Sequence, residues 1–198
     1  MRKLTSLLSL QLMKKLSMNE LGRISTANYK KKTKIPVSVI LDNVRSMNNI
    51  GSIFRTCDAF IVEKIFLCGI TASPPHKEIT KTALGATDSV DWEYFENIVE
   101  LVKNIKKNGT KVFLVEQTDH SIPLNQFGFK DTKIAVVFGN EVFGVSEELL
   151  PLCDGVIEIP QCGTKHSLNV AVAAGIVLWE LFKNSQDLFN KKNVTLQV

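Results

Sequence analysis

Long apolar runs are missing from this chain of 198 residues. None reaches the roughly 18 residues needed to cross a bilayer, so no membrane span is expected. Cysteine is sparse. Cys57, Cys68, Cys153 and Cys162 are the four, and no two stand as Cys-x-x-Cys. That usage argues against a disulfide framework or a zinc ribbon and fits reduced thiols in the cytoplasm. The histidines, His76, His120 and His166, are scattered, so no metal site is expected. Gly-x-Gly does not occur, which removes the dinucleotide fingerprint and the common Rossmann-type cofactor loop. Neither a Gly-Lys-Ser/Thr phosphate loop nor a Gly-x-Ser-x-Gly elbow is present. Cys162 and His166 share a loop, but a thiol nucleophile needs an ordered base and a third orienting group, and nothing supplies them.

Acidic residues are nearly absent from the first 34 positions. Nine Lys and Arg stand there against Glu20 alone, a net charge of about +8, which leaves the remainder near −4. A basic arm on a mildly acidic body points to an anionic polymer partner. The bland reading is a solvated leader that aids solubility. The opening MRKLTSLLSLQLMKKL has a short apolar run broken by Ser, Thr and Gln, and no clean cleavage site follows it. It reads as part of an amphipathic helix over residues 4–24 rather than as a signal peptide.

The rest is rich enough in apolar residues, 44% of the chain, to build one core. Residues 29–34 (YKKKTK) read as a basic linker, and Pro36 marks entry to the body. Buried strands are expected over 37–41, 64–68, 111–115, 134–138 and 155–159, with a further strand over 90–94. Residues 43–49 read as a polar loop. A helix is expected over 51–60 with Ile53, Phe54 and Cys57 inward, a short one over 78–84 ending at Gly85, and an amphipathic one over 97–107. Alternating strands and helices predict an α/β fold with a parallel sheet flanked by helices. The division is a basic extension over 1–35, a domain over 36–182 and a polar tail over 183–198.

Two stretches draw attention to one edge of that sheet. The strand IAVVF runs into Gly139-Asn140-Glu141 and then Gly144. The strand GVIEI is stopped by Pro160, and Gly163 permits a tight loop. Ser167 then stands where a helix N-cap is expected, before an apolar run rich in Ala and Gly. Ligands in open α/β sheets bind at the carboxyl ends of strands, so these loops form a candidate pocket. The polar residues left in expected loops are Asn43, Asn48, Asn49, Arg55, Glu141, Ser167 and Asn169. Arg55 stands out in an apolar stretch, where a guanidinium needs a phosphate or carboxylate partner; Asp58 or Glu141 would serve as the latter.

LDNVRSMNNIGSIFRTCDAF, VFGNEVFGVS and IPQCGTKHSLNVAVAAG, in that order, resemble the three motifs of the SpoU/TrmH RNA 2'-O-ribose methyltransferases of the SPOUT superfamily. The similarity covers residues 36–182. It implies a C-terminal trefoil knot over about 112–177 that binds S-adenosylmethionine, a feature that general topology rules would not predict. It implies catalytic or positioning roles for Asn49, Arg55, Glu141, Ser167 and Asn169. The implied cofactor contacts are Gln117, Gly139, Glu141, Ile159, Gln161, Ser167 and Leu168. Arg23, Lys30, Lys31, Lys32, Arg45 and Arg55 are then the candidate RNA contacts. Gln161, where many members have Met, and Cys162 are mild departures. Family accounts make the counterpart of Arg55 a general base. A free guanidinium is essentially always protonated, so electrostatic stabilisation of the ribose-phosphate is the other role. Homodimerisation, with an active site completed near the subunit interface, is implied as well. With only about 35 residues before the core, the chain resembles compact members that modify tRNA, so tRNA is expected ahead of rRNA. A catalytically silent RNA-binding module and a base methylase are the competing readings.

Overall fold

β-Branched and aromatic residues fill the strand runs and decide where chain pairs with chain. The computed structural model describes residues 14–17, 20–22, 24–129 and 132–185. Its strands are β1 (Ile35–Asp42), β2 (Val62–Cys68), β3 (Trp92–Phe95), β4 (Lys111–Val115), β5 (Ile122–Pro123), β6 (Ile134–Phe138) and β7 (Gly155–Glu158). They form one sheet in the order β3-β2-β1-β6-β4-β7-β5, with every pair parallel. The helices are α1 (Thr26–Lys31), α2 (Met47–Ala59), α3 (Lys77–Ala83), α4 (Ala86–Ser89), α5 (Ile98–Lys107) and α6 (Val170–Asn184).

Strand alternation sends the two faces to two cores. Val37, Val39 and Leu41 of β1 join Ile134, Val136 and Phe138 of β6 beneath α2, α3 and α6. Ile40, Val112, Leu114, Ala135 and Val137 face the other way and meet Ile98, Leu101 and Val102 of α5. Burial on both faces is why these strands read as continuous apolar runs.

Register then sets the site. Leu41 lies opposite Phe138, Phe138 opposite Val115, and Val115 opposite Ile157. The carboxyl ends of β1, β6, β4 and β7 are therefore level, and the loops leaving them stand side by side.

Several expectations need correction. α2 begins at Met47, because the Ser46 hydroxyl accepts the Asn49 N–H at 3.3 Å. The polar loop is thus shorter than 43–49. β3 starts at Trp92 rather than at residue 90, since Val90 caps α4 by donating its N–H to the Ala86 carbonyl. The basic linker contains α1, capped by Ser25 and anchored by the buried Tyr29. The Lys34 ammonium sits 3.1 Å from the centre of the Tyr29 ring and donates to the Tyr29 carbonyl at 2.7 Å. α6 is capped by Asn169, not Ser167; the Asn169 side chain accepts from Ala171 and Val172. It runs on through residues 183 and 184, taking them from the expected tail. The expected helix over 4–24 lies mostly outside the described residues, and those of its positions that are described are not helical.

Candidate active site

The loop after β1 is organised by a buried carboxylate. Asp42 Oδ2 accepts the Ser146 N–H at 2.7 Å, and Oδ1 accepts from Asn43 Nδ2 at 2.8 Å. Asn43 holds a left-handed backbone (φ 54°), a conformation that Asn tolerates better than most residues. Its carbonyl accepts from Asn140 Nδ2 at 2.8 Å, which ties the β1 loop to the β6 loop.

The β6 loop closes on itself. Asn140 and Gly144 exchange backbone hydrogen bonds of 2.8 and 2.9 Å, and Asn140 Oδ1 accepts from Val142 and Phe143. Gly139 has to be glycine, because a Cβ there would overlap the Gly144–Val145 backbone. This tight turn aims Glu141 at the N-terminus of α2. Its Oε2 accepts the Arg45 N–H at 3.0 Å, and its Oε1 accepts the Ser46 N–H at 3.0 Å and Asn49 Nδ2 at 3.1 Å. Partial burial pushes the Glu141 carboxyl pKa up. The N–H groups of Arg45, Glu141 itself and Ser46, with the Asn49 amide, outweigh that and hold it below the usual carboxylate value. The positive end of α2 favours the same charge.

Asn49 carries the link onward. Its Oδ1 accepts from Asn169 Nδ2 at 3.2 Å, while Asn169 Oδ1 caps α6. Residues 49, 141 and 169 thus form one hydrogen-bonded chain drawn from three distant segments.

Beside that chain opens a cavity of about 530 Å³. Gln117, Gly139, Glu141, Ile159, Gln161, Ser167, Leu168 and Asn169 all line it. Gln117 Nε2 donates to the His166 carbonyl at 2.8 Å and so fastens the 160–169 loop across the cavity. Two lining carboxylates escaped the sequence reading. Glu116 accepts the Gln117 and Val145 N–H groups at 2.9 and 3.3 Å, and Glu158 accepts from the Ser121 hydroxyl at 2.7 Å. The signal available was their place at the ends of strands whose neighbours had already been singled out. Among the described residues the lining holds three glutamates and no Lys, Arg or His. Its size and charge fit a cationic small molecule.

Arg55 is elsewhere. It is exposed, does not line this cavity and makes no ion pair among the described residues, so the alternative of a structural ion pair with Asp58 or Glu141 is not formed. Its stretch is apolar on one face only, and Arg55 occupies the outer face. Arg45 is exposed, and its backbone rather than its guanidinium meets Glu141. Lys30 and Lys31 are exposed on α1 and Lys32 is half-buried just beyond it, while Arg23 lies outside the described residues.

Residues 36–179 match the model of the SpoU rRNA Methylase family. The chain belongs to that family. The tRNA (guanosine(18)-2'-O)-methyltransferase of Thermus thermophilus is 33% identical over 144 residues, 73% of each protein. Among solved structures, the TrmH/SpoU tRNA modifying enzyme of A. aeolicus superposes with a TM-score of 0.73 at 27% identity, over 82% of this chain and 83% of that one. The AdoMet-bound rRNA methyltransferase of Sinorhizobium meliloti gives 0.71 at 27% identity, over 78% of this chain and 59% of that one. As a SpoU family member the chain is an RNA methyltransferase, and S-adenosylmethionine is its methyl donor.

Proposed function

We propose that the chain methylates a ribose 2'-hydroxyl of RNA, with tRNA ahead of rRNA as the substrate class. The observation that carries the site is the Asn49–Glu141–Asn169 chain at the rim of a cavity whose lining, among the described residues, holds three glutamates and no basic side chain. Similarity to the Thermus tRNA enzyme supports the substrate class.

The donor brings an activated sulfonium methyl, so this protein's task is alignment and charge. Gln117, Gly139, Ile159, Gln161, Ser167 and Leu168 hold the donor in the cavity, where the carboxylates Glu116, Glu141 and Glu158 favour its positive charge. Glu141 fixes Asn49, and Asn169 fixes it from the other side, so the Asn49 amide has one orientation toward the incoming ribose. Arg55 supplies positive charge to the ribose-phosphate and to the oxygen that develops negative charge in transfer. Lys30, Lys31, Lys32, Arg45 and the basic extension over 1–35 attract the RNA backbone to the domain over 36–182.

Arg55 lies outside the cavity, so a site built by one chain alone is incomplete. A homodimer completes it in this reading. Val172, Ile176 and Trp179 form an exposed apolar stripe on α6 at helical spacing, the feature that supports such an interface. The trefoil threading belongs to the same proposal. It is supported by the Gln117–His166 link and by α6 packing back beside Leu124 and Phe127. Among the described residues no helix is long and apolar enough to cross a membrane, and a cytoplasmic site of action suits the free thiols.

The test is methyl transfer from labelled S-adenosylmethionine to unmodified tRNA and rRNA, followed by nuclease digestion and nucleoside analysis. Label in a 2'-O-methylnucleoside is the expected product. Label on a base, or cofactor binding without transfer, would refute the reading.

A further inference from the structure

α3 packs on α2 with almost no clearance. A Cβ on Gly51 would overlap Thr82 Oγ1 and the Ile79 carbonyl. Thr82 Oγ1 also donates to the Asn48 carbonyl at 3.1 Å, one residue before Asn49. The last turn of α3 is thus fixed to the first turn of α2, and it brings a second cation to Arg55. Lys81, next to Thr82, is exposed and lines the same open concavity as Arg55, together with Ser52 and Thr56. Neither Arg55 nor Lys81 forms an ion pair among the described residues. Among the described residues no carboxylate lines the concavity. Two like charges on the wall of one concavity repel each other, and a bound anion relieves that cost.

We propose that Lys81 is a phosphate ligand for the substrate RNA, paired with Arg55 across the α2–α3 seam, and that it holds the backbone beside the target nucleotide. The proposal rests on the reading above that Arg55 meets the ribose-phosphate. Lys81 acts as a point charge and Arg55 as a planar fork, so the two can share one phosphate or take adjacent ones. Lys81 makes no contact with the cofactor cavity, so its contribution belongs to RNA binding alone. The α2–α3 seam sets its position, and Gly51 makes that seam possible.

The experiment measures tRNA affinity at several salt concentrations, with S-adenosylmethionine affinity and molecular mass recorded in parallel, for wild type, Lys81→Gln, Lys81→Arg and Lys103→Gln. Lys103 is exposed on α5, on the far side of the sheet, and serves as the control. For Lys81→Gln the salt slope should fall by about 0.7–0.9. Its affinity deficit should shrink by about threefold between roughly 50 and 200 mM salt. Lys81→Arg should keep the slope, and cofactor affinity should not change in any variant. An unaltered slope in Lys81→Gln overturns the proposal. So does an equal loss in Lys103→Gln, which would mean a general field effect, and so does a change of mass in Lys81→Gln, which would make Lys81 an assembly residue. If wild type transfers no methyl group to RNA, the underlying functional reading fails instead. If wild type is active and Arg55→Ala is not, while Lys81→Gln binds normally, only the role of Lys81 fails.

Discussion

Asn49 Nδ2 donates to Glu141 Oε1 at 3.1 Å, joining the first turn of α2 to the turn after β6. The same oxygen takes the Ser46 N–H, so one carboxylate both ends a helix and aims a side chain. Glu141→Gln replaces one acceptor oxygen with a donor that faces backbone N–H groups. Stability should fall by about 1 kcal/mol, a modest figure because the residue is exposed. Methyl transfer should fall by roughly 10²-fold through misplacement of Asn49. Thermal melting and single-turnover assays read the two effects separately, and an equal loss in both would make Glu141 structural only.

The pH dependence follows from the same hydrogen bonds. The folded-state pKa of Glu141 lies below its ordinary value, so the folded protein binds fewer protons at this site than the unfolded chain does. Its stabilising contribution is complete above the ordinary carboxylate value of about 4.3 and is lost as pH falls through the folded value. Acid unfolding should show a wild-type advantage over Glu141→Gln that is flat above about pH 5 and vanishes below. An advantage that varies between neutral pH and that limit would contradict the assignment.

Gly51→Ala tests the α2–α3 seam. The added methyl overlaps Thr82 and the Ile79 carbonyl, and the latter cannot turn aside. A loss of about 1–3 kcal/mol is expected, read as about 2–4 °C of Tm for each kcal/mol. An unchanged Tm would show that α3 slides without cost.

Burial on both faces made the central strands legible. IAVVF and KVFLV have no polar alternation to obscure them, and β6 and β4 begin and end where those runs do. α5 was legible from its period, with Ile98, Leu101 and Val102 inward. Caps were less so. Ser167 and Asn169 are equally good N-caps two residues apart, and only the fold shows that Leu168 belongs to the cavity wall rather than to a first helical turn. α1 hid under its lysines because Tyr29 alone ties it to the core. β5 is two residues long and includes Pro123, too short for any pattern. The polar residues of the site were visible as types, but the Asn49–Glu141–Asn169 chain spans separations of 92 and 120 residues that only folding closes.

Arg55→Ala should lower methyl transfer by orders of magnitude, the scale for losing an electrostatic stabiliser. Its exposure and lack of an ion pair among the described residues predict a Tm near wild type, and its absence from the cavity wall predicts unchanged S-adenosylmethionine affinity. Arg55→Lys should remain poor, since an ammonium cannot reproduce the planar fork. Full turnover in Arg55→Lys would leave only a point-charge role.

The basic arm is best cut before Ser25. Removing residues 1–34 would also strip Tyr29, 4% exposed, and Lys34 above its ring. Removing 1–24 deletes Arg2, Lys3, Lys14, Lys15 and Arg23 and leaves α1 whole. The salt slope of RNA binding should become shallower by about 0.7–0.9 for each of these that meets a phosphate. Cofactor titration should be unaffected. A slope equal to wild type would place the arm outside the RNA path.

Trp179 offers the test of the proposed dimer. It is 51% exposed at the C-terminal end of the α6 stripe, with the Phe60 and Phe182 rings 5.8 and 6.2 Å from its own. Those two rings fix its orientation from below, so its outer face is presented in one geometry, as a contact residue requires. Ile176 and Val172, one and two turns earlier, extend the apolar strip toward the Asn169 cap, and hence toward the active site. A second copy seated there would lie against the helix that anchors Asn169, so the proposed dimer predicts that catalysis depends on assembly. Trp179→Glu places a charge in that contact and should cost at least about 2 kcal/mol, roughly a thirtyfold rise in dimer Kd. Light scattering at micromolar concentration should show a dimer in wild type and a monomer in the variant. RNA methylation should fall with the dimer fraction. S-Adenosylmethionine binding should persist where the cavity walls come from one chain. A wild-type monomer with full activity would remove the dimer, and Arg55 would then have to reach the ribose from its own chain.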